Sequence, residues 1–282
     1  MDTLKINAYA KINLFLEVKE RLSNGYHDLQ SIMQSVGLCD VLEFRKTSCE
    51  GIHIDCPKIE GPCENNLIYK AAKCFFDKIE MPLSGIEIKV EKQIPIGAGL
   101  AGGSTDAAAA LKALNSLYGE PFSMGELMAI GKTVGADVPF CICGGTAIAE
   151  GIGEKLTQIN KLPDCYIVIA IGDTSVSTKW AFEELDKKEN RNIRSAENII
   201  SALKKGDLKE ISDEFYNVFE TVSPFDETIK KIMKSYSPFG VLMSGSGPSV
   251  FSVYENEENA KKARSELVSK GYRAFLCTPV NI

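Results

Sequence analysis

Residues 86–117 constrain the fold of this chain more than any other segment. "IEIKVE" alternates apolar and charged residues, the period of a half-buried strand, and "IPIGAGLAGG" follows with four glycines. From about Ser104 onward apolar residues recur at the spacing of one helical face. They are Ala107, Ala110, Leu111, Leu114 and Leu117. The segment therefore predicts a strand, a tight glycine turn and an amphipathic helix, in that order.

The glycine turn has the spacing of a dinucleotide-binding loop, since Gly97, Gly99 and Gly102 form G-x-G-x-x-G. That fold needs a parallel βαβ unit with an acidic residue about 20 positions later. Here the preceding strand is of the antiparallel type, Pro95 precedes the glycines, and Glu120 lies in a turn pattern. Because no Lys-Ser or Lys-Thr follows the glycines, the P-loop is excluded as well.

With these two loops excluded, the remaining interpretation is a phosphate-binding loop of another kind. Glycines let the backbone approach a ligand closely, and the following helix directs free N–H groups and its positive dipole end toward the loop. Ser104 and Thr105 are expected to cap this helix and to offer hydroxyls to phosphate or Mg²⁺. Asp106 suits the dipole but would repel phosphate unless a metal intervenes. All three are eligible for Mg²⁺, and an unliganded capped turn is the alternative.

Composition excludes several classes of protein. The 282 residues are 44% hydrophobic with a net charge of −6, so the basic surface that nucleic acid requires is missing. No apolar run reaches the roughly 18 to 20 residues that span a bilayer, so no membrane partner is expected. Nine scattered cysteines indicate buried small side chains in a reducing cytoplasm. With two histidines, a His-based metal centre is not expected.

The second half of the chain predicts a small sheet domain. An apolar strand, "DCYIVIAIG", precedes a charged helical stretch of roughly residues 181–222. The tail then follows the pattern strand, turn, strand, helix, strand. This β-α-β-β-α-β order is that of a ferredoxin-like domain. The sequence thus predicts two α+β domains, residues 1–160 and 161–282.

Three motifs, taken together, resemble the GHMP kinase superfamily. They are, in chain order, "AYAKINLFLEV" at 8–18, "PIGAGLAGGSTDAAAAL" at 95–111 and "SGSGPSVF" at 244–251. The resemblance spans essentially the whole chain. It implies an ATP-binding N-terminal domain of the ribosomal protein S5-like fold, a ferredoxin-like C-terminal domain, and an active site between them. Ala101 departs from the family pattern, which usually has glycine there, so a slightly stiffer loop is expected.

The same resemblance implies ATP and Mg²⁺ as cofactors. Asn65 and Asn66 match a segment near the adenine, although capping of the following helix is an equal alternative. No protein residue is assigned as a dedicated metal ligand. The residues implied in nucleotide binding are Asn65, Pro95, Ile96, Gly97, Ala98, Gly99, Leu100, Ala101, Gly102, Gly103, Ser104 and Thr105.

Asp137 and Lys11 are the candidate catalytic residues. Asp137 lies just past a helix and before Pro139, which favours an extended Val138, so its carboxylate is suited to accept a hydroxyl proton. The resemblance gives it the family's catalytic acid position, against the alternative of an Asx turn. Lys11 matches a lysine that orients the acceptor hydroxyl, against a solvated strand lysine. Asn13, two residues on, shares its strand face and is assigned to the acceptor pocket.

Within the superfamily, "GYHDLQSIMQ", "GADVPF" and "AEGIGE" are similar to kinases that phosphorylate the 2-hydroxyl of a cytidine diphosphate-linked methylerythritol in the non-mevalonate isoprenoid pathway. This implies that Tyr26 and His27 recognise cytosine, with Phe182 or its neighbour Trp180 as a second aromatic wall. Gly245 would let the backbone close on the substrate side of the phosphates. A kinase of mevalonate or homoserine and a non-catalytic sensor are the alternatives. Monomer and homodimer are both compatible with the sequence.

Overall fold

The computed structural model describes residues 2–57, 62–79, 85–172, 176–188 and 191–281. Its helices and strands mix throughout the chain, which confirms the α+β class. The strands are β1 (Thr3–Arg21), β2 (His27–Lys46), β3 (Ile52–Asp55), β4 (Ile86–Glu91), β5 (Thr146–Gly151), β6 (Lys155–Gln158), β7 (Tyr166–Ile171), β8 (Tyr216–Asn217), β9 (Gly240–Met243), β10 (Ser249–Tyr254) and β11 (Arg273–Cys277). The α-helices are α1 (Leu67–Lys78), α2 (Gly102–Leu117), α3 (Met124–Val134), α4 (Val138–Cys143), α5 (Thr178–Asp186), α6 (Glu197–Lys205), α7 (Leu208–Asp213), α8 (Glu227–Lys234) and α9 (Glu257–Ser269).

The chain forms two compact units that interleave along the sequence. The first unit comprises residues 1–10, 39–96 and 101–143, and the second comprises residues 11–38, 97–100 and 144–282. Strands β1 and β2, of 19 and 20 residues, each begin in one unit and end in the other. The sequence boundary near residue 160 stays a prediction.

The first unit is built on β4 and α2, as the sequence predicts. Val41–Lys46 of β2 pairs antiparallel with β4, and β3 pairs parallel with the other edge of β4. Ile86, Ile88 and Val90 are buried on one face of β4, because side chains two apart on a strand point the same way. All five predicted stripe residues of α2 are buried, where this helix packs against α1, α3 and α4.

The second unit contains the predicted ferredoxin-like sheet. Its strand order is β11-β7-β10-β9, and all three neighbouring pairs are antiparallel. Counted along the chain these strands are the fourth, first, third and second, the order of a β-α-β-β-α-β domain. Val168 and Val250 from the sheet pack against Ile229 and Met233 of α8 and Leu267 of α9. Elsewhere in the unit β5 pairs with β2 and β6, and β8 pairs parallel with β1.

Candidate active site

The glycine loop adopts left-handed backbone at alternate positions. Gly97, Gly99 and Ala101 have φ of 69°, 74° and 59°. A Cβ on Gly99 would lie 2.4 Å from the Ser244 carbonyl oxygen, so a side chain there has no room. The Ser244 hydroxyl donates a hydrogen bond to the Gly99 carbonyl at 3.1 Å. Because Gly97–Leu100 and Ser244 belong to the second unit, that unit brings the second and third sequence motifs together.

The first motif joins the same assembly. The backbone N–H of Lys11 donates to the Leu100 carbonyl at 3.2 Å, and the Ser249 hydroxyl donates to the Ala98 carbonyl. Ala98 and Leu100 are buried, whereas Gly97 is exposed. In the first unit, Pro95 is buried and Ile96 is 67% exposed. Residues distant in sequence thus fix the path of the exposed glycine loop.

Helix α2 begins at Gly102, two residues earlier than expected, and its start lacks a side-chain cap. Ala101 is the N-cap residue, and alanine has no side chain that accepts hydrogen bonds. The prediction that Ser104 and Thr105 cap the helix is therefore wrong, because both lie inside its first turn. Thr105 instead donates its hydroxyl to the Tyr9 carbonyl at 2.6 Å. Within the described residues the N–H groups of Gly102, Gly103 and Ser104 have no acceptor, so they are left for another one.

A buried cluster of charges fixes both ends of the glycine loop within the first unit. The Lys92 ammonium binds the Asp40 carboxylate and, at 2.6 Å, the Asp106 carboxylate. The other Asp40 oxygen accepts backbone hydrogen bonds from Gln93 at 2.5 Å and Ile94 at 2.8 Å. Gln93 and Ile94 precede the loop, and Asp106 follows it. The cluster therefore restrains the distance between the segment before the loop and the helix after it.

Burial and the charges within the cluster together set the titration of Asp106 and Lys92. Burial, with the neighbouring Asp40 carboxylate, raises the pKa of Asp106 to about 7, against the opposing effect of the Lys92 charge. Burial by itself would lower the pKa of Lys92, but Asp106 and Asp40 outweigh it and raise that pKa. One oxygen of Asp106, Oδ1, is buried without a hydrogen-bond partner in the described residues. Asp106 is thus held in the protein interior against Lys92.

Lys11 and Asn13 form the predicted pair on one strand face. Lys11 is only 5% exposed, so the interpretation as a solvated strand lysine is wrong. Its ammonium donates to Asn13 Oδ1 at 2.7 Å, and the Gly245 backbone N–H donates to the same oxygen at 3.1 Å. Asn13 Nδ2 donates to the Ser31 hydroxyl at 2.8 Å, which in turn donates to the Phe15 carbonyl at 2.7 Å. The Asn13 amide is thereby fixed at both ends.

Asp137 lies at the start of α4, in the first unit. Its carbonyl accepts the first helical hydrogen bond, from Cys141 at 3.0 Å, and its side chain is half-buried. The expected extended Val138 is wrong: Val138 is helical, because the first turn of a helix tolerates Pro139. Within the described part of this unit the Asp137 carboxylate has no hydrogen bond, so nothing there supports an Asx turn. Its pairing with Lys11, which belongs to the second unit, stays a prediction.

The predicted aromatic residues come together in the second unit. The His27 ring stacks on Phe182 with 4.6 Å between centroids and 17° between planes, and its Nε2 lies 2.7 Å from Asp186. Tyr26, the preceding residue, is 60% exposed beside a tight turn. Trp180 is two residues from Phe182 on α5, and residues two apart on a helix point in different directions. The contact places Phe182 beside His27, and the choice between Phe182 and Trp180 as the second wall stays a prediction.

Comparison with known proteins agrees with these motifs. The model of the GHMP kinases N-terminal domain matches residues 66–145, and that of the GHMP kinases C-terminal domain matches residues 199–274. The chain is 41% identical over 269 residues to 4-diphosphocytidyl-2-C-methyl-D-erythritol kinase of Caldicellulosiruptor bescii, covering 94% of both chains. The chain belongs to the GHMP kinase family. The 4-diphosphocytidyl-2-C-methyl-D-erythritol kinase of Clostridium acetobutylicum is 39% identical to this GHMP kinase, and the match covers 98% of this chain and all of the relative.

Solved structures agree with the family assignment. A crystal structure of 4-(cytidine 5'-diphospho)-2C-methyl-D-erythritol kinase has a TM-score of 0.82 and 32% identity, with 99% of this GHMP kinase and all of that chain covered. Mevalonate kinase of Methanococcus jannaschii has a TM-score of 0.76 at 18% identity, over 99% of each chain, which concerns the fold alone. The predicted two-domain kinase fold is confirmed, and the chain is a kinase.

Asn65 and Asn66, the two candidates for the adenine, have different surroundings. The Asn66 side chain accepts from the Ile68 N–H at 2.9 Å, so Asn66 is the N-cap of α1, as the structural alternative predicts. Asn65 ends a short 3-10 helix, Cys63–Asn65, and is exposed. Its assignment to the adenine stays a prediction.

Sequence reasoning missed several residues that support the candidate site. Asp40 and Lys92 are 52 positions apart, and no local pattern connects them. Asp186 had a signal, because it follows Phe182 by four residues and so lies on the same face of α5. Among the described residues no cluster of three or more His, Cys, Asp or Glu side chains is placed to hold a metal. A search of the described helices finds none with the length and apolar character to cross a bilayer.

Proposed function

We propose that this kinase transfers the γ-phosphoryl group of ATP to the 2-hydroxyl of 4-(cytidine 5'-diphospho)-2-C-methyl-D-erythritol, in the non-mevalonate isoprenoid pathway. The observation that carries the choice of substrate is the group of rings formed by the exposed Tyr26 and the stacked pair of His27 and Phe182. Stacking on an aromatic ring suits the flat face of a pyrimidine, and the imidazole adds a polar edge. The shared name of relatives about 40% identical supports the same substrate.

The chemistry requires positioning more than a strong base, since phosphoryl transfer passes through a loose transition state. The acceptor oxygen bonds to the γ-phosphorus while the bond from that phosphorus to the β–γ bridging oxygen breaks, and ADP leaves. The hydroxyl proton passes to the Asp137 carboxylate. Lys11 orients the acceptor oxygen, and the buried Asn13 amide supports this role because it restricts the ammonium to one position.

The nucleotide role of the glycine loop rests on the uncapped start of α2. Free N–H groups at a helix N-terminus, with the dipole behind them, attract phosphate. Of the three side chains eligible for Mg²⁺, Thr105 is buried with its hydroxyl on the Tyr9 carbonyl, and Asp106 is buried against Lys92. Ser104 is the half-buried one, so we assign the metal to its hydroxyl. When bound, Mg²⁺ neutralises charge on the transferred phosphate.

The first experiment measures ADP release by the purified protein with Mg²⁺-ATP and, separately, the cytidyl substrate, mevalonate, homoserine or no acceptor. Turnover with the cytidyl substrate alone supports the proposal. Turnover with mevalonate or homoserine contradicts the cytosine assignment while keeping the kinase reaction. If none of these acceptors raises ADP release above the rate without acceptor, the non-catalytic sensor is favoured.

A matched pair of variants tests the aromatic stack. Phe182→Leu removes the ring that faces His27 and keeps the site apolar, so the KM for the cytidyl substrate should rise roughly 10-fold or more. Trp180→Leu changes an aromatic residue of the same helix that lies outside the stack, and its KM should stay within about 2-fold. If the two variants behave alike, Phe182 does not hold the pyrimidine.

A cytoplasmic location is part of the same proposal. Among the nine cysteines, all within the described residues, no disulfide is formed. Burial raises the pKa of Cys165 and of Cys277 to about 12, so these thiols stay protonated and inert at neutral pH. Cysteines of this kind are typical of proteins in reducing compartments.

A further inference from the structure

The turn between β9 and β10 places one backbone N–H against the proposed acceptor site of the second unit. Gly245 and Gly247 have φ of 57° and 88°, so the chain reverses tightly over residues 244–247. The Gly245 N–H donates to Asn13 Oδ1, the same atom that receives the Lys11 ammonium. The position of this N–H therefore affects where Asn13 holds Lys11.

The Asn217 side chain holds that turn by hydrogen bonds to its backbone. Its side chain is 2% exposed, and its Nδ2 donates to the Met243 carbonyl at 2.7 Å and to the Gly245 carbonyl at 2.8 Å. Its Oδ1 accepts from the Phe219 N–H at 3.0 Å. An uncharged amide supplies two donors and an acceptor at once, which neither a carboxylate nor a hydroxyl can do. In this structure both donors and the acceptor oxygen are in use.

The contacts of Asn217 close a ring of hydrogen bonds on β1. Asn217 ends β8, which pairs parallel with β1 so that Asn217 lies opposite Leu16. From there the ring passes through the Asn217 amide to Gly245, from Gly245 to Asn13, and back along β1. Because both ends rest on the same strand, the ring resists displacement of the turn relative to Asn13.

We propose that Asn217 is a positioning residue for phosphoryl transfer. It holds the carbonyls of Met243 and Gly245, the Gly245 N–H then fixes the Asn13 amide, and Asn13 fixes the Lys11 ammonium. The inference rests on the proposed role of Lys11 in the reaction. The competing explanation is structural, since Asn217 also caps the short 3-10 helix Val218–Thr221.

The experiment separates capping from positioning. Asn217→Ser keeps an oxygen that caps the 3-10 helix but cannot donate to both carbonyls. Asn256→Ala is the matched control, because Asn256 caps α9 in the same unit without a bond to the turn. We expect Asn217→Ser to lower kcat about 10-fold or more, with the KM for ATP within about 2-fold, and Asn256→Ala to lower Tm alone. Equal kcat in both variants would overturn the proposal.

A double-mutant cycle tests the path through Asn13. If Asn217 acts through Asn13, adding Asn217→Ser to Asn13→Ala should not reduce kcat further, whereas independent effects would multiply. Multiplying effects would overturn the proposal. Lys11→Ala separates this inference from the proposed function: an unchanged kcat would refute the role of Lys11, and a low kcat beside a normal Asn217→Ser would refute the inference alone.

A measurement that does not depend on turnover completes the test. The side-chain amide of Asn13 gives its own signals in ¹⁵N spectra, and these report the hydrogen bonds around it. Asn217→Ser should shift the Asn13 signals, and Asn256→Ala should leave them in place. Unshifted Asn13 signals in Asn217→Ser would overturn the inference even if no acceptor is phosphorylated.

Discussion

Asp106→Asn should stabilise this kinase relative to the unchanged protein, and this difference in the free energy of unfolding should be larger at pH 8 than at pH 4.5. The carboxylate is buried in the first turn-and-a-half of α2, with Lys92 on one oxygen and no hydrogen-bond partner in the described residues on the other. An asparagine has nearly the same shape, can still accept from Lys92 and carries no charge. The variant therefore removes a buried charge while it keeps the packing.

The sign follows from proton linkage. Burial raises the pKa of Asp106 from 3.8 to about 7 in the folded protein, so between these values the folded state binds more protons than the unfolded state. The free energy of unfolding therefore falls as pH rises through this window. A pKa rise of this size corresponds to at most about 4 kcal/mol. Lys92, whose pKa is raised above its usual range, stays charged throughout and adds no slope.

The assay is urea denaturation of both proteins at several pH values from 4.5 to 8. We expect the difference in the free energy of unfolding to grow from near zero to a few kcal/mol in favour of Asp106→Asn. Asp77→Asn, at an exposed position of α1, is the control and should show no comparable trend. A difference that is flat with pH, or that favours the unchanged protein at pH 8, would show that the ionised Asp106 stabilises the fold through Lys92.

Three further outcomes are expected. Ala101→Gly should raise the free energy of unfolding by about 0.5 to 1 kcal/mol in urea denaturation, because glycine adopts a φ of 59° without strain. Asp137→Ala should slow phosphoryl transfer by roughly 10²- to 10⁴-fold, and near-normal turnover would remove it from the role of base. Asn66→Ala should cost about 1 kcal/mol of stability through loss of the α1 cap, and an unchanged Tm would contradict this.

The parts of the fold that follow from local spacing could be predicted. The alternation of β4 and the helical stripe of α2 depend on side-chain periods of two and 3.6 residues, which any segment displays in its own sequence. The contact of Lys11 with Asn13 follows from the same period of two on β1. The ferredoxin-like order could be predicted because its elements follow one another in the tail with short connections.

The contacts that depend on distant segments could not be predicted. Asn217 bonds to residues 26 and 28 positions away, and Lys92 meets Asp40 across 52 positions. No periodicity of either segment indicates such a partner. The prediction of the α2 cap was wrong for a different reason. Serine and threonine favour helix starts, but the helix begins before them, at the left-handed Ala101. Backbone conformation there outweighs side-chain preference.

Position 101 shows how stability and the proposed ligand binding oppose each other in this chain. A serine or aspartate in the usual extended N-cap conformation would stabilise α2 by about 1 kcal/mol, but its oxygen would occupy one of the free first-turn N–H groups. Ala101 gives up that bond and adopts a left-handed conformation, so the chain is less stable than local rules allow. The N–H groups then stay available to phosphate. A departure from good capping at this point is what the proposed nucleotide site requires.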